Sequence, residues 1–161
     1  MSLADLYRAL ELIAANPDQA DFAGPQPETR VAQVQSLLQL KFPPSYLEFV
    51  TRLGCGNLGS AEFYGVVSDD PVNSSIPDGV WATLTGREDS GRPPQYLVVG
   101  ETGDGAEYVI DTSRRNDADE CPVLEWWPSL PEASGNGVIV AEDFGAYFLH
   151  EVEEALARET K

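Results

Sequence analysis

Tyr96-Leu97-Val98-Val99-Gly100 and Glu107-Tyr108-Val109-Ile110-Asp111 flank Thr102-Gly103-Asp104-Gly105-Ala106. Two β-branched, apolar segments separated by a Gly-Asp-Gly turn predict an antiparallel hairpin, because Gly accepts positive φ and Asp tolerates it. That commits the chain to an antiparallel or mixed sheet. The same stretch gathers Glu101, Asp104, Glu107 and Asp111. The Asp-x-Asp-x-Asp-Gly…Glu spacing of a calcium loop is absent. A hairpin with a wet face is therefore expected ahead of a metal cradle or an acid/base pair.

Helical signals lie towards both ends of the chain. Leu3, Leu6, Leu10 and Ile13 recur at three- and four-residue steps, with Ser2 placed as N-cap and Asn16-Pro17 as the stop. Residues 17–28 read as a Pro/Gly/polar connector, either an ordered loop or a short linker. A second helix is expected from near Thr29 to about Leu40, with Val31, Val34, Leu37 and Leu38 as its stripe. Pro43-Pro44 then forms a corner, since the residue before proline avoids helical geometry. A short helix follows, with Ser45 and Glu48 as a capping box and Gly54 just past its end. Phe63–Val67, Val123–Trp127 and Val138–Val140 carry strand character, Val80–Thr85 fits either a strand or a helix, and residues 68–79 and 86–94 read as loops. Asp143 is positioned to cap a last helix with Phe144, Phe148, Val152 and Leu156 on one face. The prediction is a single α+β domain over 28–161, preceded by an N-terminal helix and connector over 1–27. Its antiparallel or mixed sheet has about four to six strands, with helices packed on it at both chain ends.

At 161 residues and 42% hydrophobic content, such a chain buries about 70% of its unfolded surface without staples. No apolar run approaches a membrane span, and the N-terminal MSLADLYRALELIAAN has neither a basic leader nor an apolar core segment. Cys55 and Cys121, far apart, make no disulfide framework. A cytoplasmic setting is expected. The charge is strongly one-sided: 27 acids against 10 bases, a net −17. Residues 1–52 hold six acids and four bases, so nearly all of the excess falls in 53–161. Such a field repels nucleic acid and anionic membranes and attracts a basic protein; a plain solubility role is the alternative.

Few residues offer chemistry. His150 is the only histidine, which rules out a His/Cys metal cluster unless carboxylates supply the rest. A Cys55–His150 nucleophilic pair has no support beyond residue type. Gly54-Cys55-Gly56-Asn57-Leu58-Gly59 lacks the Lys and Ser/Thr of a phosphate loop and follows a helix instead of a strand. Adjacent Trp126 and Trp127 point to opposite faces of a strand, so one of them is exposed, or is covered by the 128–137 loop or by a partner.

Four segments together resemble the SUKH superfamily, of the Smi/Knr cell-wall-assembly regulator type. They are the Val31–Leu40 helix running into FPPSYLEFV, LGCGNLGSAEFYGV, YLVVGETGDGAEYVIDT, and PVLEWW followed by VIVAEDFGAYFLHEV. They span about residues 28–153. Phe42-Pro43 stands where Leu-Pro or Ile-Pro is more usual, and Cys55 where Asn or Gly is common. The resemblance implies a non-enzymatic binding module of the bacterial immunity-protein type, which neutralises toxins that are often nucleases. It carries no catalytic set and no cofactor.

Taken with the charge, this predicts a cytoplasmic protein, monomeric or weakly dimeric, that blocks a basic toxin. Its loop acids Asp69, Asp70, Asp78, Asp104, Asp117, Asp119 and Glu120 would mimic phosphate, with Trp127 as an apolar anchor. No nucleic acid or membrane partner is expected. The alternative is a regulatory or scaffold interaction protein unrelated to toxins.

Overall fold

The Gly-Asp-Gly turn closes a hairpin as its residue types demand. In a computed structural model, which describes residues 2–89, 91–128 and 137–159, β4 (Tyr96–Glu101) pairs antiparallel with β5 (Glu107–Asp111), with Tyr96 opposite Asp111 and Glu101 opposite Glu107. Gly103 and Gly105 take φ of 90° and 113°, and the Thr102 amide donates to the Ala106 carbonyl at 3.0 Å. β6 (Val123–Trp126) and β7 (Val138–Ala141) extend the sheet in the order β4-β5-β6-β7, antiparallel throughout.

Period-two alternation sorts this sheet's side chains onto two faces. Tyr96, Val98, Val109, Leu124 and Trp126 cluster with Ala82 of α4 (Gly79–Asp89). Leu97, Val99, Ile110 and Val123 join the larger core, which includes Phe144, Phe148 and Val152 of α5 (Phe144–Glu159). The ambiguous stretch after Val80 is therefore helix, and it continues to Asp89 through residues expected to be loop. Asp78 starts it by accepting from the amides of Val80 (2.9 Å) and Trp81 (3.0 Å). Thr83 ties it to the sheet, donating to the Gly79 carbonyl and accepting from the Val98 amide. Gly86, the first residue of that expected loop, is tolerated in the helix because the Arg92 guanidinium occupies the space where a Cβ would sit, 1.7 Å from Nη1.

The remaining strands form a separate sheet. The connector after the first helix, α1 (Ser2–Ala14), is ordered and supplies β1 (Ala20–Phe22), which pairs with β2 (Gly56–Leu58); β2 pairs in turn with β3 (Ala61–Phe63). The glycine-rich GCGNLG segment is thus a helix stop and a strand. Gly54, at φ 74°, ends α3 (Pro44–Arg52). The expected Phe63–Val67 strand is paired mainly at its start, and Tyr64 donates its amide to Val99 of β4. Phe42, Tyr46, Phe49, Phe63, Phe144 and Phe148 fill the centre as edge-on, tilted and stacked rings at 4.7–6.3 Å. Leu6, Ala9 and Ile13 bring α1 onto α5 in the same core.

Two local expectations change. Ser45 and Glu48 form no capping box: Pro43 is the N-cap and Pro44 supplies the first helical turn. The Ser45 hydroxyl donates to Glu120, and Glu48 accepts from Arg52. Leu37, expected in the stripe of α2 (Glu28–Leu38), is 45% exposed. Asp143 caps α5 as predicted, accepting from the Ala146 amide at 2.8 Å. Among the described residues the molecule has five α-helices and two antiparallel sheets, a single α+β domain.

Candidate protein-binding surface

The loop acids fall into three sets with different physical roles. Asp78 and Glu120 are buried, 1% and 2% exposed. Glu120 accepts from the Ser45 amide and from the Ser45 hydroxyl, both at 2.9 Å. Burial raises both carboxyls above their ordinary range, against the pull of these hydrogen bonds. They join helix starts to loops and present nothing to solvent, which corrects their placement among surface acids. The signal for Glu120 lay at Asn116, whose side chain accepts from the amides of Ala118 and Glu120 and turns the loop inward.

Asp69 and Asp119 are exposed or half-buried, and each is paired with a cation. Asp69 meets Arg30 at 2.7 Å, while Asp119 meets Lys41 at 2.6 Å and Arg115 at 3.4 Å. Hydrogen bonds from those cations hold both carboxyls below the usual range. Asp70 accepts from Asn73 at 2.9 Å. These residues sit on the β3–α4 and β5–β6 loops, and Asp117 is exposed on the latter.

Trp127 lies over the hairpin turn that carries Asp104, whose carboxylate accepts from the Thr102 hydroxyl. Trp127 is half-buried. Its ring lies over Gly105, 3.5 Å from where a Cβ would be, and its indole N–H donates to Glu125 at 3.1 Å. Trp126 faces inward against Tyr96, with the Arg92 guanidinium 5.6 Å from its ring centroid. The two tryptophans thus take opposite faces. The contribution of residues 129–136 to covering Trp127 lies outside the described residues. Glu101, Gly103, Gly105 and Glu107 line a cleft of about 260 Å³ beside the turn.

Sequence reasoning did not single out the next feature. Gly100, Tyr108, Glu125 and Val138 lie opposite one another across β4, β5, β6 and β7, so Tyr108, Glu125 and Val138 share a face. On that face Tyr108 packs against Tyr147 of α5 at 5.2 Å. Its phenol is raised first by burial and then by the charges of Glu151, Glu125 and Asp104. Three carboxylates from a turn, a strand and a helix therefore converge in effect on one tyrosine. The legible signal was Glu125 alone between Leu124 and Trp126.

Catalytic readings find little geometry. Among the described residues no three His, Cys, Asp or Glu side chains group to hold a metal. Cys55 and Cys121 are buried free thiols, each pushed up to about 11, chiefly by burial, and a thiol so placed is protonated at neutral pH. His150 is exposed on α5. No described helix is long and apolar enough to cross a membrane. A family model described as SUKH_5, SMI1-KNR4 cell-wall, matches residues 7–153, from within α1 to within α5.

Proposed function

This chain belongs to the SMI1-KNR4 family, and from that premise we propose that it is a non-enzymatic protein-binding module, an immunity-type protein that neutralises a basic toxin of the nuclease class in the cytoplasm. The observation that carries this reading is the acidic excess of residues 53–161, where 21 acids stand against 6 bases. Steering by such a field speeds encounter with a cationic cleft, and rim carboxylates stand in for phosphate there. Asp104 and Trp127 are the adjacent acid and apolar anchor; Asp70 and Asp117 are further exposed acids. Asp69 and Asp119 engage a partner only by exchanging one cation for another. The test is a pull-down against the products of genes neighbouring its own, at low and high salt, followed by a toxicity-rescue assay. Salt-sensitive capture with rescue is expected. Capture only of acidic or neutral proteins, unaffected by salt, defeats the electrostatic reading and favours a regulatory scaffold.

A further inference from the structure

Among the described residues β7 is the outer edge strand of its sheet, and although it is short and its pairing with β6 is irregular, its own sequence carries no charge or proline. Natural edges are blunted by Lys, Pro or an inward charge, whereas β7 reads Val-Ile-Val-Ala. Val138, Ile139 and Val140 are 61%, 54% and 46% exposed. Ile139 stands opposite Leu124 and Val138 opposite Glu125, so apolar surface is offered on both faces. On the outer side, the backbone groups of these residues have no partner among the described residues. Between β7 and α5 runs a groove of about 340 Å³ lined by Tyr108, Val140, Ala141, Tyr147, His150 and Glu151. Carboxylates flank the edge: Glu125 across the register from Val138, exposed Glu142 immediately after the strand, and Glu151 in the groove.

We infer that β7 receives an extended segment of a protein partner, bearing lysine or arginine between apolar residues, which joins the four-stranded sheet as a fifth strand. The backbone that no described residue pairs supplies the ladder, and the exposed valines and isoleucine supply apolar contact. Glu125, Glu142 and Glu151 select a cationic sequence. A second copy is the poorer occupant, because edge-to-edge pairing would set the same carboxylates, on chains of net −17, against each other. The inference deepens the protein-binding reading and rests on it, while adding a location that the reading does not require.

The test uses the full chain and three labelled peptides: one alternating Lys and Val, its Glu/Val counterpart, and a Lys/Val peptide of equal charge interrupted by proline. The first should bind and shift the backbone amide resonances of Val138–Ala141. The acidic peptide should not bind, and the proline peptide should bind at least about tenfold more weakly, because proline cannot complete the ladder. Ile139→Lys, on an exposed site that leaves the melting temperature unchanged, should weaken binding by a similar factor. Equal binding of both cationic peptides, shifts confined to other surfaces, or a β7-linked dimer in sedimentation each overturns the inference. If a captured toxin binds but leaves the β7 amides unprotected in hydrogen exchange, this inference fails and the broader reading survives. If no protein is captured while the peptide still docks on β7, the toxin reading fails.

Discussion

Replacing Arg92 by methionine should destabilise the fold by about 3 kcal/mol. Arg92 is 4% exposed and belongs to a loop, yet it plugs the space between α4 and the sheet. Its Nη1 donates to the carbonyls of Ala82 (3.0 Å) and Thr83 (3.1 Å), and its Nε and Nη2 donate to one oxygen of Glu107, at 3.2 and 2.5 Å. Methionine fills the stem's volume but leaves the Glu107 side chain, only 14% exposed, without its cation. Breaking a buried pair from one side costs about 3–5 kcal/mol. Glu107 borders the cleft beside the hairpin turn, which puts the cost at the lower end. In urea, with a slope of about 2 kcal/mol/M, the midpoint followed by tryptophan fluorescence should fall by about 1.5 M. Arg92→Met combined with Glu107→Met should lose less than the sum of the two single changes, by about 1–2 kcal/mol, since the orphaned charge is gone. A midpoint shift under about 0.5 M, or strict additivity, would show that the pair is solvent-screened and that this account of α4 is wrong.

Gly65→Ala should destabilise by about 3 kcal/mol or more, because the new Cβ would lie 1.8 Å from the Gly54 carbonyl oxygen, a backbone atom that cannot step aside; an unchanged thermal midpoint contradicts it. Glu120 and Asp78 are raised above their ordinary 4.5 and 3.8, so each binds a proton more readily in the folded chain. Their stabilising contribution is complete below those ordinary values and is lost as pH rises through the folded ones. The urea midpoint should therefore rise as pH falls from neutral towards those ordinary values, with Glu120→Gln showing a smaller rise; a steady fall in the native protein sinks the claim. Both cysteines should resist iodoacetamide in the native state near pH 8 and react at once in denaturant; rapid native alkylation, read by mass spectrometry, would refute their burial.

The elements legible in the sequence were those whose signal is local. The β4–β5 hairpin, the Gly54 stop, the Asp143 cap and the α5 stripe each needed only neighbours within one or two turns of chain. Misread elements depended on distant partners. Ser45 looked like an N-cap because Glu120, which it serves, is remote in sequence. The stretch from Gly86 read as loop because Arg92, which fills the space at Gly86, follows the helix. β1 was hidden in a proline-rich connector, since three residues become a strand only when β2 is there to pair with. At the surface, sequence separated acid from base but not free acid from paired acid. Asp69 and Asp119 read like Asp104, and the strand character of Val138–Val140 did not tell its exposure, because exposure is decided by what else folds nearby.

α1 lies on α5, so during synthesis α1 waits for a helix that follows it at a long distance along the chain. Until Phe144, Phe148 and Val152 have emerged, Leu6, Ala9 and Ile13 have no lasting shelter. That greasy face stays uncovered while the segment between α1 and α5 is translated, a period when chaperones have access to it. The arrival of α5 then covers α1 and β3 together.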